Sequence, residues 1–148
     1  MTAPDGDYVP SPHEMVRNQV AEYEASGGRL NLSPRARLPV VIVTMRGRKT
    51  GKIRKIAVMR VEHAGGYAIV GSVGGGPRHP SWYYNLIAEP AGLWLQDGPT
   101  PFRICVRELA GAERAIWWER AVLAYPPYAS YQDRTTRTIP VFLATPAA

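Results

Sequence analysis

Leu38-Pro39-Val40-Val41-Ile42-Val43-Thr44-Met45-Arg46-Gly47-Arg48-Lys49-Thr50-Gly51-Lys52-Ile53-Arg54-Lys55-Ile56 runs from a block of β-branched residues into a dense cluster of positive charge. Val and Ile suit a pleated, packed surface, so Leu38 to Thr44 predicts a buried strand. In the turn that follows, six of the ten positions from Arg46 to Lys55 are Lys or Arg. Solubility does not require so much charge at one turn, and Gly47 and Gly51 keep the backbone close to whatever binds. The cluster points to an anion. Arg48 and Arg54 can each make forked contacts with an oxyanion, and Lys49, Lys52 and Lys55 add point charge. A solvated turn whose charges bind nothing is the competing reading.

On the C-terminal side, Ile56 to Val61 predicts a second strand and Tyr67 to Ser72 a third, joined across Ala64-Gly65-Gly66. Together with the first they read as an antiparallel meander. A glycine loop and an aromatic run follow, Ser72-Val73-Gly74-Gly75-Gly76-Pro77-Arg78-His79-Pro80-Ser81-Trp82-Tyr83-Tyr84-Asn85. The loop offers backbone amides without side-chain obstruction, and the rings offer flat surface, so the two pieces suit a ligand flat at one end and anionic at the other. Pro80 starts a short helix that ends before Pro90. Gly92 to Gln96 and Pro101 to Leu109 form a hairpin turning at Asp97-Gly98. In its second arm Phe102, Ile104 and Val106 alternate with Arg103, Cys105 and Arg107, giving one apolar and one polar face.

At the two ends of the chain the signals are helical. Ser11-Pro12-His13-Glu14 reads as a capping box opening a helix to about Ser26, with Val16, Val20 and Tyr23 on one face and Gly27-Gly28 as its stop. Residues 1–10 are expected to form a flexible arm and residues 11–148 a single domain. A helix is expected from Ala112 to Ala124, followed by Tyr125-Pro126-Pro127-Tyr128-Ala129-Ser130-Tyr131, whose three tyrosines fall on one side of a short turn. The last strand, Ile139 to Ala144, is entered through Pro140, which marks an edge or a strand start. Six short strands with flanking helices and no βαβ rhythm predict a small, mainly antiparallel barrel.

Composition and spacing exclude several chemistries. The 148 residues can bury a core without metals or crosslinks, and the lone Cys105 excludes an internal disulfide framework. The absence of a long apolar window and of a secretory start makes the cytoplasm the expected compartment. A net charge of +6 would allow nucleic-acid binding, yet the charge is local and the aromatics do not alternate with Lys and Arg. Lys49-Thr50 lacks the preceding Gly of a phosphate loop because Arg48 stands there. Gly71-Ser72-Val73-Gly74 lacks the first Gly of a nucleophile elbow, where Val70 stands. His13, His63 and His79 are scattered, so no metal site and no Ser-His pair is expected.

Gly47-Arg48-Lys49-Thr50-Gly51-Lys52-x-Arg54, then Val70-Gly71-Ser72-x-Gly74-Gly75-x-Pro77-x-His79-Pro80-x-Trp82-Tyr83-x-Asn85-Leu86, then Tyr125-Pro126-x-Tyr128-x-x-Tyr131-Gln132 and Arg137-Thr138-Ile139-Pro140-Val141 together resemble the actinobacterial deazaflavin-dependent nitroreductase family, several members of which are quinone reductases. The resemblance implies a split β-barrel of the flavin-reductase, FMN-binding type, reduced coenzyme F420 as hydride donor, and an electron-poor acceptor such as a quinone or nitro compound. It places the cofactor phosphate and glutamate tail on Arg48, Lys49, Thr50, Arg54 and Lys55. The ring lies along Ala57, Val58 and Met59 and along Ser72, Val73, Gly74 and Gly75, with Ser81, Trp82, Tyr83 and Asn85 completing that side. Tyr125, Tyr128 and Tyr131 line the substrate pocket, and Tyr128, Tyr131 and Ser72 are the expected catalytic residues. Met59 stands where the nitroimidazole-reducing members have tyrosine, and Val73 where they have lysine. Other readings are a non-catalytic deazaflavin carrier and an FMN-binding barrel. A lipophilic acceptor would also favour loose membrane contact.

Overall fold

The computed structural model describes residues 6–147. Its strands are β1 (Val40–Arg46), β2 (Ile53–Met59), β3 (Glu62–His63), β4 (Gly66–Val70), β5 (Leu93–Gln96), β6 (Pro101–Glu108) and β7 (Val141–Pro146). Its helices are α1 (Glu14–Ala25), α2 (Ser81–Ala88), α3 (Gly111–Ala124) and α4 (Pro127–Asp133). The strands form one antiparallel sheet in the order β2-β1-β5-β6-β7-β4-β3. The sheet curls into a split barrel, so that β4 lies beside β2 across an open seam without sharing a ladder with it.

Strand periodicity sorts the apolar residues between two sides of this sheet. Val41, Val43 and Met45 of β1 point into the barrel with Tyr67, Ile69, Leu95, Ile104 and Phe142. Val40 and Ile42 point the other way and pack on Val20 and Tyr23 of α1. This double burial is why β1 reads as an unbroken apolar run. Ala68, Val70, Val141 and Leu143 form a third cluster under α3 and α4, with Trp117, Ala121 and Tyr128.

Five expectations change against this architecture. The third strand does not extend a meander: β4 pairs with β7, with Ala68 opposite Leu143, and with β3 in a hairpin across Ala64 and Gly65. Its partner is far away in sequence, so no local pattern announces the pairing. β2 begins at Ile53, opposite Arg46, which draws half of the basic cluster out of the turn and into a ladder. Ser11 does not cap α1, whose N-cap is His13. Instead its hydroxyl oxygen accepts from the His13 amide at 3.2 Å, tightening the turn ahead of the helix. Of the expected arm, residues 1–5 lie outside the described residues, while Tyr8 bridges Ile53 in parallel and Lys52 pairs with Asp7 at 3.1 Å. Pro140 precedes β7, which is a central strand entered at Val141.

Candidate functional site

A cavity of about 600 Å³ occupies the seam of the barrel. β2 is an edge strand of the sheet, and its consecutive residues Arg54, Lys55, Ile56, Ala57, Val58 and Met59 line one wall. Ser72 and Val73 form the opposite wall, Ser81, Trp82 and Asn85 of α2 close one end, and Tyr125, Tyr128 and Tyr131 close another. Ser11, Pro12, His13, Val16 and Gln19, at the start of α1, complete the enclosure. The apolar face of α1 is visible in the sequence, but the presence of its first turn at the cavity is not. That turn is fixed by Tyr23, whose hydroxyl donates to the Gln96 carbonyl at 3.1 Å and accepts from the Gly98 amide at 2.8 Å.

The basic cluster divides. Arg54 and Lys55 reach the cavity, and the Lys55 ammonium forms an ion pair with Glu24 and lies over the Tyr8 ring. Arg48 is beside the cavity rather than in it. Its amide and guanidinium donate to Asn85 Oδ1 at 3.0 and 3.1 Å, the guanidinium reaches the Ser81 carbonyl at 3.2 Å, and it lies over Tyr84. Lys49 and Thr50 sit on the exposed turn, where Thr50 Oγ accepts from the Lys52 amide at 3.2 Å. Gly74 and Gly75 lie behind the cavity wall, and Tyr83 turns outward, donating to Glu108 at 2.9 Å and stacking on His79 at 4.2 Å. Burial and the Glu108 carboxylate push the Tyr83 hydroxyl up to about 12.

The three tyrosines meet as their spacing predicts, with ring centroids 4.9 Å apart for Tyr125 and Tyr128 and 6.2 Å apart for Tyr128 and Tyr131. The Tyr125 and Tyr131 hydroxyls hydrogen-bond to each other at 2.8 Å. Burial, then that bond, pushes Tyr125 up to about 12. Tyr128 is 4% exposed, and its hydroxyl has no hydrogen-bond partner among the described residues. Burial first, then the proximity of Tyr125 and Tyr131, drives it well above the usual tyrosine range. A phenol hydroxyl left without a protein partner on a cavity wall has a hydrogen bond to offer.

Backbone strain concentrates in the same wall. Val73 holds φ 47, and Gly74 and Gly75 follow at φ 59 and 82. A β-branched residue in the left-handed region is costly, and Val73 is 54% exposed, so packing does not repay it. Val73→Gly is expected to raise stability by about 0.5–1 kcal/mol. Thermal unfolding checks this: an unchanged or lower midpoint would show that the turn is not strained.

A half-open antiparallel barrel with an edge strand, a glycine loop and an aromatic end around one cavity, cationic where Arg54 and Lys55 enter, defines a ligand-binding protein of the split-barrel type. The sequence model of the F420H(2)-dependent quinone reductases matches residues 15–146, and the chain belongs to that family. It is 29% identical over 135 residues to the F420H(2)-dependent quinone reductase Rv1261c of Mycobacterium tuberculosis, covering 89% of this chain and 90% of the relative. Among solved structures, an F420-H2 dependent reductase (FDR-A) superposes with a TM-score of 0.68 at 51% identity, covering 72% of this chain and 93% of that one. A chain described as a domain-swapped dimer superposes with a TM-score of 0.70 at 45% identity, covering 90% and 99%. The protein is an F420-dependent oxidoreductase. The cavity's groups suit reduced F420: Arg54, with Lys55 in its ion pair to Glu24, for an anionic tail, and a phenol without a partner among the described residues.

Proposed function

We propose that this single-domain protein reduces quinones, using Arg54 and Lys55, with Arg48 nearby, to hold the anionic tail of F420. When bound, reduced F420 supplies a hydride from its ring. The edge of β2 and the Ser72 to Val73 wall grip the flat ring, and Trp82 sets its tilt. Tyr125, Tyr128 and Tyr131 receive the acceptor. Two-electron reduction of a quinone takes up a hydride and a proton, and Tyr128 Oη holds the proton at the acceptor oxygen as charge develops there. The observation that carries this reading is the Tyr128 hydroxyl, on the cavity wall and without a hydrogen-bond partner among the described residues, at the tip of an otherwise buried side chain. Nitroaromatics share the planar, electron-poor character of quinones and are proposed as secondary acceptors. The exposed Met15, Leu30 and Leu32 support loose membrane contact by a protein that remains in the cytoplasm. Among the described residues, no helix is long and apolar enough to cross a membrane.

The test supplies reduced F420, reduced flavin mononucleotide and NADPH separately and follows their oxidation with and without a menadione-like quinone. Only reduced F420 is expected to be consumed, and rapidly only when the quinone is present. Tight F420 binding without quinone-dependent turnover would make the protein a carrier, and absence of F420 binding would overturn the reading. Arg54→Ala is expected to raise the F420 dissociation constant about tenfold, equivalent to ~1.4 kcal/mol, with an unchanged melting temperature. Titration at two ionic strengths checks it, because loss of a charge contact also flattens the salt dependence.

A further inference from the structure

Arg137 lies outside the cavity lining, yet its partly buried guanidinium makes more bonds to the cavity's glycine wall than any residue within that wall. It donates to the carbonyls of Gly71 at 3.1 Å, Ser72 at 2.7 Å and Gly76 at 2.9 Å, and meets His79 Nδ1 at 3.0 Å. Its own carbonyl accepts from Gln132 at the end of α4, which anchors the arginine to the helix that carries Tyr128 and Tyr131.

The orientation of two peptide groups follows. In a planar trans peptide the C=O and the next residue's N–H point to opposite sides. With the Gly71 and Ser72 carbonyls turned to Arg137, the amides of Ser72 and Val73 must point away from it. Ser72 and Val73 line the cavity, and neither amide has a hydrogen-bond partner among the described residues. Ser72 is right-handed and Val73 left-handed, an alternation that makes neighbouring amides converge on one point.

We propose that Arg137 is a positioning residue: by holding two carbonyls it aims the Ser72 and Val73 amides into the cavity as a paired donor for an electron-rich edge of the reduced deazaflavin, an assignment that rests on the F420 reading of the cavity. Fixed amide donors stabilise such charge without reorganising when it appears. The strain at Val73 is the conformational cost of this arrangement, and it persists because Arg137 over-determines the turn.

The experiment compares Arg137→Met, Arg137→Lys, Ser72→Ala and Ser72→Pro. Ser72 has φ −75, which proline adopts, so Ser72→Pro removes the amide proton while Ser72→Ala removes only the hydroxyl. Arg137→Met and Ser72→Pro are each expected to weaken F420 binding about tenfold, with no further loss when combined. Arg137→Lys should recover part of the affinity, and Ser72→Ala, which keeps the amide, should bind F420 more tightly than Ser72→Pro. In the cofactor-free protein, Arg137→Met should shift the Ser72 and Val73 amide resonances and speed their hydrogen exchange. Wild-type F420 affinity in Arg137→Met, whatever its melting temperature, would reduce the residue to a structural role and overturn the inference, as would equal affinities in Ser72→Pro and Ser72→Ala. Failure of the wild-type protein to bind F420 would instead overturn the cofactor reading, and this inference with it.

Discussion

Tyr128→Phe is expected to lower quinone-dependent turnover about 10²-fold while leaving the KM for reduced F420 and the fold unchanged. The phenol ring supplies the packing, against Tyr125, Tyr131 and Trp118, and phenylalanine keeps that ring. The hydroxyl makes no bond within the described residues, so its removal strands no partner. The melting temperature should hold or rise slightly. Wild-type turnover in this variant would remove Tyr128 from proton delivery. The pH dependence carries the same signature. Tyr128 and Tyr125 are both shifted upward, so both stay protonated throughout the neutral range, and neither should produce a step in the rate between about pH 6 and about pH 9. For stability, a raised folded-state value favours the folded form only while the phenol is protonated. The contribution from Tyr125 is therefore full below its ordinary value of 10.0 and lost as pH rises through about 12.

Gly75→Ala is expected to destabilise the protein by about 2–3 kcal/mol, enough to lower the melting temperature by several degrees. Gly75 holds φ +82, and an added Cβ would sit 2.7 Å from the Tyr131 carbonyl oxygen and 3.0 Å from its Cα. Both are backbone atoms of α4, so the glycine loop and the helix must move apart. The displacement carries Tyr131 and Arg134 with it and should raise the KM for the acceptor as well. Gly74→Ala is the control: its φ is +59 but nothing lies within 4 Å of the new Cβ, so only backbone strain of ~1 kcal/mol is expected. Equal losses in the two variants would show that contact with α4 is unimportant.

The same contrast between local and distant causes explains what the sequence reveals. The β1 run, the β5–β6 hairpin at Asp97-Gly98, helix α3 and the tyrosine triplet are written in short-range periodicity and turn chemistry, and each forms where that periodicity places it. The full span of β2 is not legible, because Arg54 and Lys55 look like turn residues until the open edge beside them is known. The pairing of β4 with β7 joins residues some seventy positions apart, such as Ala68 and Leu143. Local pattern contains nothing of that distance. Among the site residues, Arg137 is hidden because its partners are carbonyls, which have no identity in a sequence. The first turn of α1 is hidden because its place at the cavity depends on how Tyr23 docks the helix.

The open edge of β2 has a consequence for how two copies of the chain meet in a crowded solution. Beyond Ile53, whose backbone pairs with Asp7 and Val9, the outer side of β2 has no ladder partner among the described residues, and such an edge is a template for another strand, here a second β2. Two such edges brought together would set Arg54 and Lys55 of one copy against the same residues of the other, and like charges facing across a ladder repel. The cations that invite an anionic ligand thus also keep the protein from stacking on itself, and neutralising both should be felt first as aggregation of the ligand-free form.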